Sequence, residues 1–209
     1  MRTEDFRRVG HALVDWIADY RDGVESRPVM ANVRPGDIRR LLPESPPETG
    51  APLDDLVADL ERIVMPGMTN WSHPRFFAYF PSNAGLTSVL ADIVSTGLGA
   101  QGMSWVTSPA ATELEQVMMV WLRQMVGLPE HFTGVIHDTA STASLVALLE
   151  ARERATDHAQ TRGGLQAEAR PLVVYTSDQS HSSIEKAALL AGFGRENVRA
   201  IETADAFAM

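Results

Sequence analysis

Val135-Ile136-His137-Asp138-Thr139-Ala140-Ser141 decides the fold, because a short apolar run gives way there to small polar residues and then to a helical pattern. A strand that ends in small hydroxyl and alanine residues at a helix start presents unpaired backbone N–H groups and the positive end of the helix dipole. Such an end suits an anion such as a phosphate, so the stretch is expected to anchor a cofactor. By itself the same turn also reads as a well-capped helix.

Downstream, Leu145, Leu148 and Leu149 continue the helix that follows Ser141, and the polar segment Thr161-Arg162-Gly163-Gly164-Leu165-Gln166 closes it. Leu172-Val173-Val174-Tyr175 then reads as a buried strand, Ser180 to Ala191 as a helix, and Val198-Arg199-Ala200-Ile201 as another strand. The order β-α-β-α-β opens a parallel α/β sheet. In such sheets ligands sit beyond the carboxyl ends of the strands, which would bring Asp138–Ser141 and Ser177–His181 to one rim.

Upstream, one helix is expected from about Ala84 to Leu98, stopped by Gly99, and another from a Ser108 cap and Pro109 to Gly127. Before them lies Trp71-Ser72-His73-Pro74-Arg75-Phe76-Phe77-Ala78-Tyr79-Phe80-Pro81-Ser82-Asn83, aromatic, bounded by prolines and without periodicity. It reads either as a loop whose rings plug a seam or as a pocket wall. At the N-terminus, Thr3 is a candidate cap for a helix carrying Phe6, Val9, Leu13, Val14, Ile17 and Tyr20 at helical spacing. Arg34-Pro35-Gly36 turns the chain into a short helix ending at Leu42, and the proline-rich residues 43–52 form a loop. A second apolar stripe, Leu53, Leu56, Val57, Leu60, Ile63 and Val64, is closed by Pro66-Gly67. These helices are too thin to enclose a core of their own. The expected division is a helical part, 1–83, and the opening of an α/β domain, 84–209.

Composition narrows the class. The 209 residues are 44% hydrophobic and 22% charged, with a formal net charge of -9, so no basic stripe is available to neutralise nucleic acid. No apolar run approaches the roughly 20 residues that span a bilayer, and Met1-Arg2-Thr3-Glu4-Asp5-Phe6-Arg7-Arg8 is too charged for a secretory signal. Zero cysteines exclude disulfides and thiolate chemistry and agree with a cytoplasmic setting. Lys186 is the only lysine.

His73-Pro74-Arg75-Phe76-Phe77-Ala78-Tyr79-Phe80-Pro81, Ser104-Trp105 with Ser108-Pro109-Ala110, Thr112-Glu113-Leu114-Glu115, Gly134-Val135-Ile136 with Thr139-Ala140-Ser141, and Ser177 through Lys186 occur together in order. In combination they closely resemble the group II pyridoxal-phosphate-dependent decarboxylases, nearest to the aromatic-L-amino-acid decarboxylases, and the resemblance covers essentially the whole chain. It implies an α/β, fold-type I transferase-like architecture of which this chain is the N-terminal part. It also implies pyridoxal 5'-phosphate as cofactor, an amino-acid substrate, and a homodimer clasped by the N-terminal helices.

Position by position, the resemblance implies that Thr139, Ala140 and Ser141 hold the phosphate and that His181 stacks on the pyridine ring and helps position the substrate. Trp71, Tyr79, Phe80 and Pro81 match the segment that lines the substrate pocket, and Gln101 and Met103 match a loop that reaches the pocket from the neighbouring subunit. Several relatives are apolar or aromatic at the position of Gln101. The family's Schiff-base lysine, the aspartate that pairs with the pyridine nitrogen and the mobile catalytic loop are expected beyond Met209; Lys186, in a helix after His181, reads as a solvated face. Two other classes remain open: a non-catalytic interaction module or pseudoenzyme fragment, and a hydrolase built on Asp178, His181 and Ser182. Three near neighbours on one turn are poorly placed for the last of these.

Overall fold

The computed structural model describes residues 1–79 and 85–208. The chain divides into two compact units, Met1–Gly99 and Ala100–Met209.

In the first unit the N-terminal stripe forms α1 (Thr3–Gly23). Thr3 is its first residue rather than its cap. Arg2 occupies the cap position without a side-chain bond to the first turn, and Glu4 and Asp5 complement the dipole instead. The turn at Arg34–Asp37 is closed by the Arg34 N–H donating to Asp37 Oδ2 at 2.7 Å, and a single 3-10 turn follows at Arg39–Leu41. The second stripe is helical but not uniform: a 3-10 turn (Leu53–Asp55), α2 (Leu56–Asp59), a wider π turn (Leu60–Val64) and another 3-10 turn (Met65–Gly67). The unit ends in α3 (Leu86–Leu98), stopped as expected at Gly99, whose left-handed φ of 61° lets its N–H reach the Ser95 and Thr96 carbonyls.

Glu61 ties this unit together. Arg27 donates to both its carboxylate oxygens, at 2.8 and 3.2 Å, and Trp16 Nε1 of α1 donates to Oε1 at 2.8 Å. The Arg27 guanidinium, with help from the Trp16 indole, holds the Glu61 carboxyl below the ordinary carboxylate range. A carboxyl whose folded-state pKa is depressed stabilises the fold at neutral pH, and that contribution is lost as pH falls through the folded value. The pair is partly exposed, so the effect is small. Thermal melts should show a shallower acid loss of stability below about pH 4.5 in Glu61→Gln than in the parent chain.

In the second unit α4 (Pro109–Met125) starts as expected, with Ser108 Oγ accepting the Ala111 N–H at 3.3 Å. Next come α5 (Ala140–Ala155), β1 (Val174–Ser177), α6 (Ser183–Leu190) and β2 (Val198–Ile201). The two strands run parallel, with Val174 opposite Val198 and Ser177 opposite Ile201, and α6 is the crossover between them. Ala188, Ala191 and Phe193 are buried, with Leu145, Leu148 and Leu149 of α5 and Leu172, Val174 and Val198 packed against them.

Three boundaries depart from the sequence expectation. Val135-Ile136 is not a strand among the described residues: both side chains are exposed and the Ile136 N–H donates to Glu115 Oε1 at 2.7 Å. An apolar run becomes a strand only where a neighbour pairs with its backbone, and β1 has β2 as its partner here. The first paired residue is Val174 rather than Leu172. Finally, α6 begins at Ser183, not Ser180, because the Thr176 hydroxyl donates to Ser180 Oγ at 2.7 Å and the Ser180 N–H donates to the Ser177 carbonyl at 3.2 Å. Those bonds make residues 177–180 a turn.

Candidate functional site

The turn expected to bind an anion is built by capping. Thr139 is extended, its Oγ1 accepts the Thr142 N–H at 3.1 Å, and its carbonyl accepts the Ala143 N–H at 3.0 Å. These bonds leave the Ala140 and Ser141 amides, and the Ser141 hydroxyl, without a protein acceptor or donor among the described residues, and both residues are exposed at the dipole's positive end. The helix starts at Ala140, so Ala140 and Ser141 are its first two residues. This donor set fits a phosphate: two aligned amides and a hydroxyl, on a helix of 16 residues. Beside it, the Thr142 hydroxyl and the Thr139 amide hold the Asp138 carboxyl below its ordinary range.

His181 lies in the turn between β1 and α6. Its Nδ1 accepts the Ser183 N–H at 3.2 Å and lies 3.0 Å from Ser183 Oγ, so the neutral ring carries its proton on Nε2. The ring is thereby fixed at one nitrogen and free at the other. It lines a cavity of about 300 Å³ together with Thr176, Asp178, Glu185 and Arg195, in which Arg195 and Glu185 are paired at 2.6 Å. Residues 139–141 are not part of that lining. Only the Ser177–His181 half of the expected rim therefore stands at a strand end.

The aromatic segment belongs to the first unit. Trp71 stacks on Tyr79, with centroids 5.3 Å apart and planes 13° from parallel, and also meets Phe76 at 4.9 Å. Tyr79 is 75% exposed. Phe80 and Pro81 lie outside the described residues. Gln101 and Met103 belong to an exposed turn in the second unit, where Thr107 Oγ1 donates to the Gln101 carbonyl at 2.8 Å.

Lys186 is exposed in α6 and is not part of the lining of the His181 cavity, to which its neighbours Ile184 and Glu185 contribute. The hydrolase arrangement does not form. Asp178 Oδ1 accepts from the Thr203 hydroxyl at 3.0 Å, and the serine bonded to His181 is the buried Ser183 rather than Ser182. No group of His, Asp and Glu side chains among the described residues is arranged to hold a metal, and no helix is long and apolar enough to cross a membrane. The sequence reading gave no role to Ser183, Asn70 or His73. A histidine two residues before a serine at a helix start was the only available signal for the first. A polar residue flanking each side of the Trp71 run was the signal for the other two.

Comparison with known proteins places this geometry. Residues 35–209 match the family described as pyridoxal-dependent decarboxylase conserved domain. The chain belongs to that family. It is 46% identical over 203 residues to the aromatic-L-amino-acid decarboxylase of Rattus norvegicus, a match spanning 92% of this chain and 42% of the rat protein. Its backbone superposes on Oryza sativa TDC, solved with PLP and tryptamine, with a TM-score of 0.89 and 40% identity over 98% of this chain and 43% of that one. Catharanthus roseus tryptophan decarboxylase, solved with L-tryptophan, gives a TM-score of 0.88 and 41% identity, again over 98% and 43%. The helical first unit and the β1-α6-β2 opening of a parallel sheet are thus part of a fold-type I architecture, and the chain spans somewhat under half the length of these relatives.

Proposed function

We propose that this chain is the N-terminal part of an enzyme that decarboxylates an aromatic L-amino acid to its amine and carbon dioxide with pyridoxal 5'-phosphate. The observation that carries the reading is the start of α5, where the amides of Ala140 and Ser141 stand unpaired beside the Ser141 hydroxyl in a chain that matches the family over residues 35–209. When bound, the cofactor supplies an electron-accepting ring that stabilises the charge left as the carboxyl group departs. Thr139 shapes the anchoring turn, and Ala140 and Ser141 bind the phosphate. His181, fixed through Nδ1, faces the ring and helps position the substrate. Trp71, Tyr79, Phe80 and Pro81 line the side-chain pocket, and Gln101 and Met103 reach the pocket of a second copy in a homodimer. Residues 1–83 then supply the clasp and pocket wall, and residues 84–209 open the cofactor domain. The acidic, cysteine-free composition supports a cytoplasmic enzyme without nucleic-acid or membrane partners.

The anchoring role separates cap from ligand. Thr139→Ala should cost about 1 kcal/mol of stability through the lost cap. Ser141→Ala should leave stability within about 0.5 kcal/mol and weaken cofactor binding about tenfold or more, since a hydrogen bond to a charged group is lost. Melting curves and a titration followed by cofactor absorbance read the two effects.

Substrate choice tests the function directly. Arg75 is the only arginine in the segment 71–83, which otherwise offers mainly aromatic faces to a side chain. The enzyme carrying this chain is expected to release carbon dioxide from tyrosine, dopa or tryptophan at least tenfold more efficiently than from glutamate, because a wall formed by Trp71, Tyr79 and Phe80 packs an aromatic side chain and leaves a second carboxylate desolvated. A glutamate preference overturns the proposal.

A further inference from the structure

Resting on the reading of Trp71 and Tyr79 as a pocket wall, we infer that Asn70 and His73 are positioning residues that set where those rings stand. Both are polar and almost completely buried, at 2% and 3% exposure, in a segment whose rings are exposed. Every polar atom of the two side chains is used. Asn70 Nδ2 donates to the Pro28 carbonyl at 2.7 Å, Asn70 Oδ1 accepts from the Tyr20 hydroxyl at 2.8 Å, and the Asn70 N–H donates to the Val29 carbonyl at 2.9 Å. His73 Nδ1 accepts the Arg75 N–H at 3.0 Å, which fixes the proton on Nε2 and directs it to the Glu25 carbonyl at 3.3 Å.

The pattern of these ties gives them their function. Asn70 and Ser72 flank Trp71, and each is bound to the end of α1, Ser72 through Arg21 at 2.8 Å. The Trp71 backbone is therefore held on both sides while its ring stays free to face a ligand. His73 continues the fixation: its own N–H donates to the Asn70 carbonyl, and its carbonyl accepts the Phe76 N–H, both at 2.9 Å. Trp71 in turn stacks on Tyr79, whose φ of 58° is a left-handed backbone that a bulky residue adopts only where its surroundings impose it. A buried, fully satisfied polar cluster defines one geometry, and loss of a single partner leaves a buried group unpaired. Aromatic selectivity then depends on residues that touch no substrate.

The test uses paired variants. His73→Asn keeps an acceptor oxygen where Nδ1 stood and gives up only the longer 3.3 Å contact to the Glu25 carbonyl, whereas His73→Gln reaches only the Nε2 position; Tyr20→Phe removes the hydroxyl that Asn70 Oδ1 accepts from. Hydrogen exchange followed by mass spectrometry on the enzyme that carries this chain is expected to show faster exchange confined to peptides covering residues 68–79 in His73→Gln and Tyr20→Phe, with His73→Asn close to the parent. In the enzyme form that decarboxylates an aromatic amino acid, the same two variants should raise KM about tenfold with kcat within about twofold, and His73→Asn should restore KM. Faster exchange throughout residues 1–79, equal behaviour of His73→Asn and His73→Gln, or local loosening with unchanged KM each overturn the inference. Absence of aromatic turnover in every form overturns the decarboxylase reading instead, and the exchange pattern still decides whether the anchor exists.

Discussion

Incubated with pyridoxal phosphate and tyrosine, dopa or tryptophan, the 209-residue chain is expected to release no carbon dioxide above the cofactor in buffer alone. Amine attack on the cofactor aldehyde needs a lysine held beside it and activated by desolvation or by a neighbouring cation. The one lysine of the sequence, Lys186, meets neither condition: it is exposed in α6 and stands outside the lining of the cavity that holds His181. Its helical neighbours Ile184 and Glu185 turn toward the cavity that holds His181, and adjacent helix positions lie about 100° apart around the axis. Phosphate anchoring alone contributes binding without chemistry. Borohydride reduction followed by peptide mapping checks the mechanism of the failure. No stoichiometric pyridoxyl adduct on Lys186 is expected, and such an adduct together with carbon dioxide release would overturn the reading.

The second large effect is self-association. The chain exposes 16497 Å². A compact monomer of 22.8 kDa is expected to expose about 9,600 Å², and two separate domains of half that mass about 11,500 Å² in total. Large apolar side chains make up part of the excess. It includes Phe6 on α1, Leu90 and Val94 on α3, and Leu114, Trp121 and Met125 on α4. Of these, Phe6 lies on α1, one of the helices proposed to clasp a second copy. At micromolar concentration the 209-residue chain should elute well above 22.8 kDa or precipitate, and the active enzyme should be a two-fold dimer down to nanomolar concentration. Light scattering that shows a monodisperse 22.8 kDa species, or full activity from a monomer, would exclude this.

The helices were legible in the sequence because their signals are local. A serine cap and Pro109 start α4, a left-handed glycine stops α3 at Gly99, and apolar residues at helical spacing mark α1. The capped start of α5 was legible for the same reason, since a Thr139 cap and a run of small residues specify free amides without reference to the rest of the chain. The family was legible as a combination of motifs, none specific alone.

What required the tertiary structure was every property that depends on a distant partner. Val135-Ile136 has the composition of a strand, but strand formation is a pairing event, and its amide bonds Glu115 instead of a neighbouring strand. The start of α6 slipped from Ser180 to Ser183 because a hydroxyl on β1 competes for Ser180. Ser183 became the partner of His181, and the triad of Asp178, His181 and Ser182 dissolved, because hydrogen-bond geometry selects among serines that sequence spacing cannot tell apart. Asn70 and His73 carry no periodicity and no motif chemistry of their own. Only the approach of Tyr20, Pro28 and Glu25, more than forty residues away in the chain, turns two polar residues in an aromatic segment into the buried anchor that holds Trp71.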